Sequence, residues 1–87
     1  MAAPVTVYRT EWCPYCIAAK RFLSARGIAF DEVFLDQDPV KMEELKSKLD
    51  WRTVPMIFVG ETFVGGYTDL RALDQRGELQ ALLAAAK

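Results

Sequence analysis

Residues 5–16 are Val-Thr-Val-Tyr-Arg-Thr-Glu-Trp-Cys-Pro-Tyr-Cys, and this stretch decides how the rest of the chain is organised. The alternating β-formers at its start predict a short strand over residues 4–9. A loop follows, and Pro14 suits the first turn of a helix because no backbone donor is missed there. The two cysteines of the chain, Cys13 and Cys16, therefore lie where a strand passes into a helix. Such a placement is typical of a redox motif.

The start of a helix gives this placement a chemical reason. The first amide N–H groups lack partners within the helix, and the helix dipole adds positive charge, so a thiolate is favoured there. We expect Cys13 to be the attacking thiolate, and Cys16, shielded in the first turn, to resolve its mixed disulfides. The alternatives are an inert pair or half of a zinc site. Zinc prefers four ligands, and the chain has no histidine and no further cysteine.

Two strand-and-helix units are predicted around this motif. Apolar residues at helical spacing predict a helix over residues 14–26, with Gly27 as its C-terminal cap. A strand is predicted over residues 28–35, parallel to the first because a helix connects them. Asp38 and Pro39 predict the start of a second helix, which runs to about residue 49. Its apolar side is expected to comprise Val40, Met42, Leu45 and Leu49.

The second half of the chain predicts a hairpin and two more helices. Residues 56–59 are apolar throughout, which suits a central strand covered on both sides. A turn at residues 60–61 leads to a short antiparallel strand over residues 62–64. Helices are expected from Thr68-Asp69 and around Leu79. The predicted fold class is α/β, a four-stranded mixed sheet with helices on both faces in the order βαβαββα plus a C-terminal helix. Its aromatic core is expected to contain Phe30, Phe34, Phe58 and Phe63.

Size and composition restrict the functions open to this chain. Its 87 residues predict a single domain over residues 1–87. The net charge is −1 and the eleven basic residues are scattered, which argues against nucleic-acid binding. We expect no signal peptide and no membrane-spanning helix. A disulfide between two cysteines only three positions apart would close too small a loop to stabilise a secreted domain. A cytoplasmic location is therefore expected.

Three stretches resemble the signatures of the dithiol glutaredoxins. They occur in the right order and at the right separations, and the resemblance extends over residues 5–83. The resemblance implies a thioredoxin-like fold and glutathione-dependent reduction of disulfides. The three stretches are Cys13-Pro14-Tyr15-Cys16, Thr53-Val54-Pro55 and Gly65-Gly66-Tyr67-Thr68-Asp69-Leu70.

The resemblance also implies a glutathione site. A cis Val54–Pro55 bond would leave the Val54 backbone free to pair with the glutathione peptide, although a plain strand start is the alternative. The N-terminus of the helix at Thr68-Asp69 would hold the γ-glutamyl group, or would simply be capped there. Arg52 would meet the glycine carboxylate, or is a solvated loop charge. The expected glutathione contacts are Tyr15, Arg52, Thr53, Val54, Pro55, Gly66, Thr68 and Asp69.

The chain departs from the family pattern at two positions. The family usually places a lysine three residues before the first cysteine, where it helps to bind glutathione and stabilise the thiolate. Here that residue is Thr10, next to Arg9. Either Arg9 replaces the lysine or the helix field alone stabilises the thiolate. Tyr67 stands where many relatives carry a small residue or cysteine.

The activity implied is that of a monomeric glutathione–disulfide oxidoreductase. It would reduce glutathionylated and disulfide-containing proteins, with electrons from glutathione and ultimately from NADPH through glutathione reductase. No metal and no nucleotide site is expected. One alternative draws electrons from thioredoxin reductase. Another is an iron–sulfur scaffold in which Cys13 of two subunits and two glutathiones hold one cluster, against which Pro14 counts by analogy.

Overall fold

The computed structural model describes residues 4–85, which form four strands and four helices. The strands are β1 (Val5–Arg9), β2 (Asp31–Phe34), β3 (Met56–Val59) and β4 (Thr62–Gly65). The helices are α1 (Pro14–Ala25), α2 (Pro39–Leu49), α3 (Tyr67–Gln75) and α4 (Glu78–Ala85). The predicted element order is confirmed. Residues 1–3, where no signal peptide is expected, and residues 86–87 lie outside the described residues.

The strands form one mixed sheet in the order β2-β1-β3-β4. β1 pairs parallel with β2, as a strand–helix–strand connection requires, and antiparallel with β3. β3 and β4 form the predicted hairpin, and Gly60 turns the chain with a φ of +61°. β1 is therefore an inner strand, and the cysteine motif follows directly from its C-terminal end.

One face of the sheet carries the main core. Val5 and Val7 of β1 alternate with less buried neighbours, and they pair in register with Val59 and Ile57 of β3. Three helices cover this face, since α1 packs against α3 and α3 against α4. Burial of each such aliphatic side chain stabilises the fold by about 1.5–3 kcal/mol. The helical residues of this core are Ala19, Leu23, Leu70, Leu79 and Leu83.

The opposite face is aromatic, and α2 contacts it through Lys41. Tyr8 and Phe58 meet edge to face at 5.7 Å, and Phe58 lies 5.2 Å from Phe63 between ring centroids. Lys41 of α2 lies over the Tyr8 ring at 5.7 Å. None of the α2 residues, all of which are described, is fully buried. The prediction that Val40 lies on the inner side is wrong, because Val40 in the first turn is 68% exposed.

Two predictions about β2 are also wrong. The strand begins at Asp31, because the chain is still completing the end of α1 at residue 28. There Gly27 has a φ of +70° and the Ile28 N–H donates to the Leu23 carbonyl at 2.9 Å, as in a Schellman motif. Phe34 is not a core residue but is 47% exposed. It lies beside Arg9 in the β1–β2 register and covers that guanidinium at 4.7 Å.

Among the described residues, no helix is long and apolar enough to cross a membrane.

Candidate active site

Cys13 is the N-cap residue of α1. Its backbone is extended, with φ −123° and ψ 110°, and Pro14 follows in the first turn. The Cys16 N–H donates to Cys13 Sγ at 3.3 Å, so the sulfur occupies the place of a capping oxygen. A backbone donor and the N-terminus of a helix both face that sulfur.

Cys16 is fully buried one turn further along α1. The pKa of the Cys16 thiol is raised from 9.0 to about 12, mainly by burial and to a smaller extent by the side-chain hydrogen bond with Cys13. A backbone hydrogen bond from Thr10 and the charge of Arg9 act in the opposite direction and lower that pKa. The two thiols therefore have different surroundings, one at a partly accessible helix end and one inside the core.

The second signature stretch lies against the first. The Cys13 thiol donates to the Val54 carbonyl oxygen, with a distance of 3.6 Å between sulfur and oxygen. The Val54–Pro55 bond is cis, as the resemblance implies. The sheet explains why these residues meet, because Tyr8 pairs with Met56 and the chain leaves β1 at the end where it enters β3.

The third stretch completes the cluster at the start of α3. The Gly66 N–H donates to Asp69 Oδ2 at 2.9 Å, which caps the helix. A Cβ added to Gly66 would lie 3.8 Å from the Pro55 carbonyl oxygen, so the backbones of the second and third stretches are close. Gly65 pairs with Ile57 of β3, so the same sheet also fixes this loop.

The remaining predicted contact residues form the outer part of this region. Tyr15, Arg52, Thr53 and Thr68 are all exposed. Each is next to, or within two residues of, a member of the Cys13–Val54–Gly66 cluster. Their placement on the rim leaves their side chains open to a ligand.

Sequence reasoning missed the supports of the loop before Cys13. Asp36 accepts two hydrogen bonds from the Glu11 N–H, at 2.9 and 3.1 Å. Arg9 is buried, forms an ion pair with Glu32 and does not extend toward the rim. A signal for Arg9 was present in the sequence, since it continues the alternation of Val5 and Val7 onto the buried face.

Trp51 is a further residue that supports this region. Its ring packs edge to face on Phe63 at 5.4 Å, and its Cζ2 atom would lie 3.7 Å from a Cβ added to Gly66. Its indole N–H is buried and finds no partner among residues 4–85. Trp51 thus supports the glycine loop from behind, whereas Trp12 is 86% exposed beside Cys13.

No group of three or more potential metal ligands occurs in the part of the chain that the structure describes. A concavity of about 800 Å³ lies away from Cys13, at the other end of β1. It is lined by residues such as Val5, Phe30 and Leu83. The motif residues lie instead beyond the C-terminal end of β1, where Cys13 is partly accessible.

Comparison with known proteins adds evidence on family. A family model described as glutaredoxin matches residues 5–64, more than half of the chain. The chain is 50% identical over 82 residues to a glutaredoxin of Pseudomonas aeruginosa, covering 94% of this chain and 98% of the relative. It is 44% identical over 81 residues to glutaredoxin 3 of Escherichia coli strain K12, covering 93% and 98%.

Solved structures agree with this result. The chain matches a buckwheat glutaredoxin–glutathione complex with a TM-score of 0.88 at 26% identity, covering 94% of this chain and 77% of that one. It matches a wheat glutaredoxin with a TM-score of 0.88 at 33% identity, covering 98% and 82%. These neighbours confirm the predicted thioredoxin-like fold class.

Proposed function

The chain belongs to the glutaredoxin family, and from this premise we propose that Cys13 and Cys16 carry out glutathione-dependent thiol–disulfide exchange. The observation that carries the proposal is the position of Cys13. Its sulfur accepts the Cys16 N–H at 3.3 Å and faces the Val54 carbonyl at 3.6 Å. It is a nucleophile at a helix start, next to a backbone edge that a peptide can join.

With a glutathionylated protein, one thiol suffices. The Cys13 thiolate attacks the glutathione sulfur, the bond between glutathione and the protein breaks, and the protein leaves as a thiolate that takes a proton from water. A second glutathione thiolate then attacks the glutathione sulfur bound to Cys13. Glutathione disulfide leaves and the Cys13 thiolate returns. Glutathione reductase and NADPH reduce the disulfide.

With a protein disulfide, Cys16 takes part. Cys13 attacks one sulfur of the substrate, and the resulting mixed disulfide is resolved when the Cys16 thiolate attacks Cys13 Sγ. The substrate leaves as a dithiol and the enzyme holds a Cys13–Cys16 disulfide, which two glutathiones reduce. The burial of Cys16 supports this division, since an external disulfide reaches Cys13 first.

The proposed glutathione contacts follow from the arrangement of the three signature stretches around Cys13. The buckwheat structure is a complex with glutathione, which supports the same ligand here. The Val54 backbone would pair with the cysteinyl residue of glutathione. Its neighbours Thr53 and Pro55 would also contact the ligand. The γ-glutamyl group would meet the start of α3 at Gly66, Thr68 and Asp69. Exposed Arg52 would meet the glycine carboxylate, and Tyr15 would pack on the ligand.

Further parts of the proposal concern the cellular setting. We propose a monomer of one domain that acts in the cytoplasm, with glutathionylated and disulfide-containing proteins as substrates. The exposed rim around Cys13 supports protein substrates because a bulky partner can approach it.

Reduction of a glutathione mixed disulfide, coupled to NADPH oxidation through glutathione reductase, tests the proposal. Cys13→Ser should abolish turnover because the nucleophile is lost. Cys16→Ser should retain most of it, because a second glutathione regenerates Cys13 without help. Loss of activity in both variants, or in neither, would contradict the assigned roles. A wild type that turns over only with thioredoxin reductase would show that the glutathione site is wrong.

A further inference from the structure

A second concavity lies close to Cys13, between α1 and the first turn of α3. The Ile17 N–H donates to the Cys13 carbonyl at 3.0 Å, and Tyr67 directly follows Gly66 of the third signature stretch. The concavity therefore begins one helical turn from Cys13, and we call it the α1–α3 groove. Its volume is about 390 Å³, and it is lined by Ile17, Ala18, Arg21, Phe22 and Tyr67.

The floor of the α1–α3 groove is aromatic. The Phe22 and Tyr67 rings meet edge to face, with 6.4 Å between their centroids. Both side chains are only half-buried, and Ile17 beside them is 38% exposed. An apolar side chain that covers such a surface removes it from water, and an aromatic one gains further stabilisation from edge-to-face contact. The floor therefore suits an apolar or aromatic side chain of a partner.

Two exposed arginines border this floor. Arg21 lines the groove from α1. Arg71 of α3 lies over the Tyr67 ring, with 5.8 Å between its Cζ atom and the ring centroid. Neither arginine forms an ion pair with any residue in the range 4–85. Their guanidinium groups are therefore available to a carboxylate, which a guanidinium can bind through two parallel hydrogen bonds.

The acidic side chains of α3 do not neutralise these arginines, because both acids are engaged elsewhere. Asp69 Oδ2 accepts the Gly66 N–H at 2.9 Å. Asp74 forms a two-pronged ion pair with Arg26, with nitrogen–oxygen distances of 2.6 and 3.0 Å. α1 contains no acidic residue at all. Although the whole chain has a net charge of −1, the border of the groove is positive, so it attracts a negatively charged segment.

We propose that the α1–α3 groove binds the part of a protein substrate next to its disulfide, and that it favours a segment with an acidic residue near an apolar or aromatic one. Arg21 and Arg71 bind the carboxylate, and the rings of Phe22 and Tyr67 contact the apolar side chain. The inference rests on the proposed function and deepens it by naming a class of protein substrate.

The groove acts in the first step with a protein disulfide. The Cys13 thiolate attacks the substrate sulfur that the bound segment carries. The bond between Cys13 and that sulfur forms, the substrate disulfide breaks, and its other sulfur leaves as a thiolate. Binding of the segment beside Cys13 raises the rate of this step because it brings the disulfide to the nucleophile.

Peptides activated at a single cysteine measure this recognition without glutathione. They share one sequence, in which the cysteine forms a disulfide with thionitrobenzoate and a phenylalanine is nearby, and the variable positions hold glutamate, glutamine or lysine. Attack by Cys13 on the peptide sulfur releases thionitrobenzoate as a yellow thiolate. The parent protein is Cys16→Ser, so the mixed disulfide on Cys13 is not resolved. The second-order rate constant is measured at low ionic strength.

The parent protein should react roughly three- to tenfold faster with the glutamate peptide than with the glutamine peptide, and more slowly with the lysine peptide. Added salt should reduce these differences because it screens exposed charges. A glutamate peptide with serine in place of the phenylalanine tests the aromatic floor. It should react roughly two- to fivefold more slowly than the peptide that keeps the ring.

Charge reversal in the protein locates the effect. Arg21→Glu and Arg71→Glu should each remove most of the preference for glutamate, and the double variant should prefer the lysine peptide. Lys48→Glu is the matched control, because Lys48 is also exposed but lies on α2, at the opposite face of the sheet. It changes the net charge by as much as either arginine variant and should leave the ratio of glutamate to lysine rates unchanged.

The glutamine peptide is the reference for structural damage, since a distorted active site slows all the peptides alike. Equal rates for the three charge types with the parent protein would overturn the inference. So would a ratio that Lys48→Glu changes as much as the arginine variants do, or a serine peptide as fast as its phenylalanine counterpart. Because no glutathione is present, failure of the coupled glutathione assay would overturn the proposed glutathione chemistry alone, and the peptide rates would still decide the role of the groove.

Discussion

Gly65 has a backbone conformation that allows the close approach of the Asp69 side chain. Its φ is +118°, and an added Cβ would lie 2.6 Å from Asp69 Oδ2. Gly65→Ala should therefore displace the carboxylate that caps Gly66, and the left-handed backbone adds about 1–3 kcal/mol of strain. We expect lower stability to urea and a several-fold higher KM for glutathione in the coupled assay.

Gly77 provides the matched control for this prediction. It also has a positive φ, of +76°, but an added Cβ would have nothing within 4 Å among the described residues. Gly77→Ala should lower the free energy of unfolding by about 1 kcal/mol and leave the KM for glutathione unchanged. Equal KM values in the two variants would show that the Asp69 contact does not matter for ligand binding.

The Cys16 thiol makes the stability of the reduced protein depend on alkaline pH. Its pKa is raised from 9.0 to about 12 by burial and by Cys13. Between these values the unfolded chain loses the proton while the folded chain keeps it, so the unfolded state binds fewer protons. Stability is fully present below pH 9.0 and falls as pH rises toward 12, by up to about 1.4 kcal/mol per pH unit.

Urea denaturation of the reduced protein between about pH 8 and about pH 11 measures this loss. Cys16→Ala is the comparison, because it retains every other group that titrates in the same range. We expect the wild type to lose stability more steeply than the variant as pH rises. If the stability of both proteins fell equally with pH, the raised pKa assigned to Cys16 would be wrong.

At the scale of elements, the helices on the two faces of the sheet contribute unequally to the stability of the fold. Leu70 of α3 is fully buried in the core shared with α1 and the sheet, whereas Val40 of α2 is 68% exposed. Leu70→Ala should cost about 2–5 kcal/mol of stability because it leaves a cavity. Val40→Ala should change the free energy of unfolding by less than about 0.5 kcal/mol. Urea midpoints measure both, and similar losses would place α2 in the core after all.

Element boundaries were predictable where a single residue fixes the backbone. Pro14 marks the start of α1, Gly27 its end, and Asp38 the cap of α2, where its Oδ1 accepts the Lys41 N–H at 3.0 Å. The start of β2 was not predictable, because Ile28 and Phe30 have strand-forming side chains, yet the Ile28 N–H closes α1. β-propensity reflects the preference of a side chain, whereas the capping hydrogen bond determines the backbone conformation at residue 28.

At the scale of the molecule, local patterns predicted the layers but not the contacts between them. The alternation of Val5 and Val7 and the apolar run of β3 sufficed to predict a mixed sheet. The spacing of Cys13 and Cys16 and their place between a strand and a helix predicted them as the reactive pair, and that role stays a prediction. The Arg9–Glu32 pair and the stacking of Trp51 behind Gly66 depend on the register of strands distant in sequence, which no single segment specifies. The glutathione contacts stay a prediction.

The pairing of Tyr8 with Met56 has a consequence for which changes in chain length the protein can tolerate. That pair fixes how many residues separate the sheet from Cys13 after β1 and from Val54 before β3. An insertion or deletion between the pair and either residue would separate the sulfur from the carbonyl or turn one of them to the wrong face. An added residue at Gly60–Glu61 or at Gly77 would instead be absorbed in a turn. Length variation among related proteins should therefore concentrate at these turns and avoid residues 9–13 and 54–56.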